Sequence, residues 1–230
     1  AILTTVIVVF GYYLITSYMR TNQSADDFKN LWQMTVFTQF LIVCLFGPAT
    51  AANSITQEKE QQTWDMLVFT LLRPMQIIAG KLAVRLIPIG VLLLAFLPVQ
   101  IYCAINGDLR LTSVASVFAV LSVLLLFFGV VSLYLSWLVR RTAIAMAISY
   151  LVLFCLLIGT LLLETTLSMG SQRIDSPFLW LNPMRMASAL TDPSDAIAVP
   201  VIVLSMVTYS AILSFLLWRL ITQFRSNFDI

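Results

Sequence analysis

Long apolar runs separated by short polar breaks dominate the chain. About 20 apolar residues cross a bilayer as a helix. On that criterion spans are predicted at about 2–19, 31–55, 74–104, 111–139, 142–163 and 199–217. The intervening breaks include Arg20–Asn30 with Asp26 and Asp27, the turn Asn106-Gly107-Asp108, and the pair Arg140-Arg141. Gln33, Thr35, Thr38 and Gln39 fall on the second run, where such groups more often hydrogen-bond between helices than contact a solute. Pro88 and Pro98 fall in the third and are expected to kink it. Each lacks a backbone N–H, and a membrane helix tolerates this where neighbours satisfy the freed carbonyls. The sixth run ends at Trp218-Arg219, before a short polar tail. The predicted fold class is all-α, a single polytopic domain of six transmembrane helices.

Two stretches depart from this alternation. Between the second and third runs, Gln57 to Gln62 is a short series of charges and amides. Trp64, Leu67, Val68, Leu71 and Leu72 then follow at i, i+3, i+4, i+7 and i+8, one face of a helix. Thr63 is placed to cap it, and Asp65 sits in its first turn, where the helix dipole favours an acid. Pro74 ends it after Arg73 and opens the next span. A short amphipathic helix over about 63–73, lying against the membrane face, is the expectation. The other stretch is 164–198. Pro177 to Leu181 is apolar, Asn182-Pro183 is placed to start a helix through Leu190, and Asp192-Pro193 breaks the chain again. These pieces are too short to span. They read as interfacial or re-entrant helices, or equally as a surface loop with a Trp180 anchor. Glu164 reads as an interface residue.

Charge sets the orientation. Lys59, Arg73, Lys81, Arg85, Arg140, Arg141, Arg219 and Arg225 fall on one side, and Arg20, Lys29, Arg110, Arg173 and Arg185 on the other. Eight against five places the amphipathic stretch and both termini in the cytoplasm. Only 10% of residues are charged and 60% are hydrophobic, whereas a soluble domain carries roughly 25% charged residues. The net charge of +2, with no basic cluster, argues against nucleic acid. With no histidine in the sequence, histidine-ligated metals and Ser-His or Cys-His nucleophile pairs are excluded within it. Cys44, Cys103 and Cys155 share no metal-ligand spacing and read as small core residues. The chain opens at Ala1 on apolar sequence without a basic leader region, so residues before Ala1 are expected to be missing.

The stretch between the second and third spans resembles the membrane subunit of an ATP-binding cassette exporter of the type-2 permease family. The residues that carry the likeness are the acidic pair Glu58 and Glu60, Thr63-Trp64, Leu67, Thr70-Leu71, Pro74 and Gly80-Lys81. Leu181-Asn182-Pro183 to Leu190 is similar to that family's external Asn-Pro element. Arg73 and Met75 flank Pro74 where the family often has Ser, Thr or Pro, so the cap of the turn differs. The resemblance implies a coupling helix seated in the groove of a separate cytoplasmic ATPase. ATP and Mg would be bound by that partner and no cofactor by this chain. The implied coupling residues are Glu58, Glu60, Gln61, Thr63, Trp64, Asp65, Leu67, Val68, Leu71, Arg73 and Pro74, with the acids and amides facing the partner or solvent. Gly80, Lys81, Arg85, Arg140 and Arg141 would lie at the cytoplasmic interface. Lys81 and Arg85 are expected mainly to snorkel to headgroups. The small residues Ala143 and Ala147, with Ser132 and Ser136, allow close helix approach. The resemblance further implies a pair of permeases in a bacterial inner membrane, with Ala143 and Ala147 as dimer contacts, and packing within one subunit explains them equally well.

Gly80-Lys81 is not the end of a phosphate-binding loop, because Met75 and Leu82 stand where that motif needs Gly and Ser or Thr. The chain is therefore expected to need its ATPase and to be no enzyme alone. The substrate, and the choice between export and mechanical action on a partner protein, are not read from it. The alternative class is an ion-coupled secondary transporter, which usually needs a titratable group at mid-membrane and inverted repeats. The sequence offers neither. An intramembrane enzyme would need paired acids that are also missing. Asn22-Gln23-Ser24 forms a glycosylation sequon, read as chance.

Overall fold

A computed structural model describes residues 25–61, 74–139, 141–168, 183 and 198–228. These residues are helical apart from short connections. The helices are α1 (Ala25–Glu60), α2 (Pro74–Ala95), α3 (Leu97–Asn106), α4 (Leu111–Leu138), α5 (Thr142–Ser168) and α6 (Ala198–Phe228). Five segments are long and apolar enough to cross a membrane: Ala25–Glu60, Met75–Asn106, Leu111–Leu138, Thr142–Thr160 and Ile202–Thr222. The chain is an integral membrane protein on that basis. The predicted span at 2–19, the predicted coupling helix at 63–73 and nearly all of 164–198 beyond Ser168 lie outside the described residues.

α1 and α4 pair along their length at the centre of the bundle. α2 and α3 pack on one side of that pair, α5 lies against α1 and α4, and α6 lies against α4 with a lighter touch on α2. Trp32, Val36, Phe40 and Val43 of α1 meet Val117, Leu121, Leu124 and Phe128 of α4 in one continuous core, with Leu86, Leu93 and Phe96 from the second layer. Tyr209 carries α6 into the same core. Its ring stands edge-on to Phe127 at 4.8 Å, a geometry favoured by the ring quadrupoles. Gly129 allows the close approach of α4 and α2, because a Cβ there would lie 2.7 Å from Leu86 Cδ1. The outer faces of α5 and α6 carry exposed Leu151, Phe154, Leu162, Val207 and Phe215.

Several predicted boundaries shift. The second predicted span, at 31–55, lengthens at both ends into the 36 residues of α1. At about 1.5 Å per residue α1 is roughly 54 Å long, well beyond the roughly 30 Å hydrocarbon core. The Glu58-Lys59-Glu60 run is thus its last turn and not the start of a separate segment. The third predicted span divides at Phe96. Pro98 stands in the first turn of α3, and the chain tightens there through a Phe96 N–H bond to the Leu93 carbonyl (3.1 Å). Pro88, in contrast, sits within the unbroken α2. The fourth span matches its expected range within a residue. α5 continues to Ser168 and α6 to Phe228, past the predicted limits of Leu163 and Leu217. Polar residues in a final turn do not end a helix that has already left the apolar layer.

Candidate functional site

The end of α1 is where four other helices converge, and three consecutive side chains there reach three of them. Successive residues of an α-helix project about 100° apart, so Glu58, Lys59 and Glu60 radiate in three directions.

Glu58 points to α2 and forms an ion pair with the Lys81 ammonium. The same ammonium donates to the Ser54 carbonyl at 3.2 Å. The Lys81 side chain is only 14% exposed and that of Glu58 28%. Removing a charge from water at this depth is costly without a partner, and each supplies the other's. The Lys81 ammonium is thus turned to Glu58 and the Ser54 carbonyl. Arg85, one turn further along α2, is half-buried, and Gly80 is exposed with no side chain near its Cα.

Lys59 points to α4. Its ammonium donates to the Trp137 carbonyl and lies 4.7 Å from the centre of the Trp137 ring. The carbonyls of a helix's last turn have no partner within the helix and carry the negative end of its dipole. A cation is the matching group, and the indole face adds a further attraction.

Glu60 points to α5. Its carboxylate accepts the backbone N–H of Thr142 at 2.8 Å and the Thr142 hydroxyl at 3.2 Å. Thr142 is the first residue of α5, and that helix's own bonding begins with the Ala145 N–H to the Arg141 carbonyl at 3.0 Å. The Thr142 N–H is thus one of the unpaired donors of a helix start, where an acid complements the positive dipole end. The end of α4 is consequently held by a cation and the start of α5 by an anion, both from the last turn of α1.

Beneath these charges a buried serine ties α4 to α1. Ser136 Oγ accepts the backbone N–H groups of Ile55 (3.2 Å) and Thr56 (3.0 Å). The Thr56 hydroxyl in turn donates to the Ala52 carbonyl at 3.0 Å. An apolar layer of Ile55, Ile78, Leu133 and Leu220 closes the junction and brings in α6.

Of the sequence candidates, Glu58, Glu60 and Lys81 are brought together here. Gln61 is exposed beside them, hydrogen-bonded through its N–H to the Gln57 carbonyl at 3.0 Å. Arg141 is exposed at the adjoining turn. Thr63, Trp64, Asp65, Leu67, Val68, Leu71, Arg73 and Arg140 lie outside the described residues. Ala143, next to Thr142, and Ala147, one turn further along α5, are both exposed. Lys59, Ser54, Trp137 and Thr142 are junction residues that the sequence reading does not single out, and Ser136 is read there only as a small packing residue. Lys59 and Thr142 had a usable signal, a base in the last turn of one helix and a Thr opening another. Nothing in the sequence says that these two ends meet.

A second polar group lies deeper. Gln39, fully buried and about 5 Å from the middle of α1, donates to the Leu93 carbonyl at 3.1 Å. Gln100 of α3 donates to Gln39 Oε1 at 2.6 Å. The expectation that Gln39 bonds between helices is met. Thr35 and Thr38 instead bond back to the Leu31 and Met34 carbonyls of their own helix, both at 2.7 Å. Gln100 Oε1 is buried and accepts no hydrogen bond from the described residues.

No protein-family model matches the chain, and no curated protein matches it in sequence.

Proposed function

We propose that this chain is the membrane-spanning permease subunit of an ATP-binding cassette exporter of the type-2 family. It would couple ATP hydrolysis by a separate cytoplasmic ATPase to export of a substrate, or to mechanical action on a partner protein. The observation that carries the reading is the junction. The stretch at about 63–73, which resembles a coupling helix, lies in sequence between α1 and α2, and those two helices are joined by the Glu58–Lys81 ion pair. A push on such a segment would enter the bundle at its most heavily braced point. The amphipathic spacing of Trp64, Leu67, Val68 and Leu71 supplies the surface a partner would grip. Positive charge is concentrated on the junction face, which supports a cytoplasmic location for it in a bacterial inner membrane.

The partners that follow are two copies of an ATPase that binds ATP and Mg, and a second permease subunit. The exposed Ala143 and Ala147 of α5 are the proposed contacts between permeases.

The test is purification of the tagged chain from its native membrane in mild detergent. A stoichiometric protein with a Gly-x-x-x-x-Gly-Lys-Ser/Thr loop is expected to remain bound, and Trp64→Ala should reduce its recovery severalfold. A chain that purifies alone, and does not stimulate ATP hydrolysis by a candidate ATPase, would overturn the reading.

A further inference from the structure

We propose that the last turn of α1 is a two-way relay between α2 and the α4–α5 turn, with Lys81 and Glu60 as its two positioning ends. This goes beyond the ATPase reading and holds for the bundle by itself. Glu58 and Glu60 are two residues apart on one hydrogen-bonded helical turn, so neither carboxylate moves far without the other. Glu58 is held by Lys81, and Glu60 holds the first amide of α5. Between them Lys59 fixes the end of α4 through the Trp137 carbonyl. A displacement of α2 that carries Lys81 therefore tilts or turns the end of α1, and the anion on the α5 start moves with it.

Direct packing between α2 and α5 does not supply the connection. α2 packs mainly on α1 and α4, and α5 packs on α1 and α4 from elsewhere in the bundle. The covalent connections do not supply it either, since Lys81 and Thr142 are far apart in sequence and joined through three helices. The ion pair, one helical turn and the Glu60 bonds form the short path.

Hydrogen exchange of the purified chain in nanodiscs, read by mass spectrometry without any ATPase, tests this. Lys81→Met should speed exchange at the amides of 142–146 by about fivefold, the effect of roughly 1 kcal/mol of lost local stability. Lys81→Arg, which keeps the charge, should leave them unchanged. Coupling between two sites is reciprocal, so Glu60→Gln should speed exchange in the first two turns of α2. Faster exchange confined to α1 and α2 in Lys81→Met, with 142–146 as in the parent, would overturn the relay. Where Lys81→Met does not fold, Glu60→Gln alone decides: unchanged exchange in α2 overturns the relay, and faster exchange there supports it. The ATPase assignment stands apart from either result.

Discussion

At the scale of single residues, the junction is built from groups that are costly alone and tolerable together. Lys81 and Glu58 illustrate this. Lys81→Met leaves a largely buried carboxylate without its cation. Some water access remains at Glu58, so the expected destabilisation is about 1–3 kcal/mol, short of the 3–5 kcal/mol of a fully buried pair. Glu58→Gln combined with Lys81→Met should cost less than Lys81→Met alone, a comparison readable from thermal unfolding in detergent. Ser136→Ala removes a shared acceptor from two amides that lie within the continuous helix α1 and is expected to cost up to about 1 kcal/mol, whereas Ser132→Ala should be nearly silent. Gly129 gives a steric contrast. Gly129→Ala meets only the flexible end of Leu86 and should be mild, while Gly129→Val forces α4 and α2 apart and should cost several times more.

At the scale of elements, prolines and amides act in pairs. Pro98 divides the third span, and the Leu93 carbonyl beside the break takes a side-chain amide from Gln39 of α1. Pro48 lies inside α1, and the nearby Leu45 carbonyl takes the Tyr150 hydroxyl of α5. Two of the helix prolines thus have a donor from another helix at a nearby carbonyl. Gln39→Leu should destabilise by about 0.6–1.7 kcal/mol, the range measured for hydrogen bonds between membrane helices. Gln39→Leu with Gln100→Leu should be less harmful than Gln39→Leu alone, because the double change also removes the stranded Gln100 amide. Chemical denaturation in mixed micelles gives that ranking.

These elements also mark what the sequence could reveal. The spans of α4 and α5 were legible because their composition is apolar for longer than a soluble helix needs, and the starts at Leu111 and Thr142 follow clear turn signals. The division at Phe96 was half legible: proline announced a disturbance, but Pro88 and Pro98 look alike in sequence and only one breaks the helix. The helices α1, α5 and α6 run past the predicted spans because a hydropathy pattern registers where a helix leaves lipid and not where its hydrogen bonding stops. In the junction, Glu58, Glu60 and Lys81 stood out as charges at a span border. Their partners did not, since a backbone amide at Thr142 and a carbonyl at Trp137 have no signature in a string of side chains.

At the scale of the whole molecule, bracing is uneven. The junction face is tied by charge, by a serine and by an apolar layer. Among the described residues, the opposite ends of the helices include the exposed Asp26–Lys29 pair at 3.6 Å. Exposed pairs of that kind contribute about 0–1 kcal/mol. Motion is expected to be smaller where the junction ties α1 to α2 than at the Gln33 end of α1 and the Ile105 end of α3. Spin labels at Gln33 and Ile105 are expected to give a broader distance distribution than labels at Gln57 and Gly80. Equal widths would show the bundle to be uniformly stiff.

The ties at the end of α1 also have an order in time. Ser136, Trp137 and Thr142 lie 80, 78 and 82 residues beyond the α1 groups they bind. At ribosomal rates of about 5–20 residues per second, the last turn of α1 exists for several seconds before its α4 and α5 partners are made. During that interval the α4 and α5 groups that bind Lys59 and Glu60 do not yet exist. The α4–α5 hairpin then arrives at a site already presented to it. The junction is thus completed only after the α4–α5 hairpin is made, and a ribosome arrested before Ser136 should carry an α1 whose end is still open to water-soluble labels.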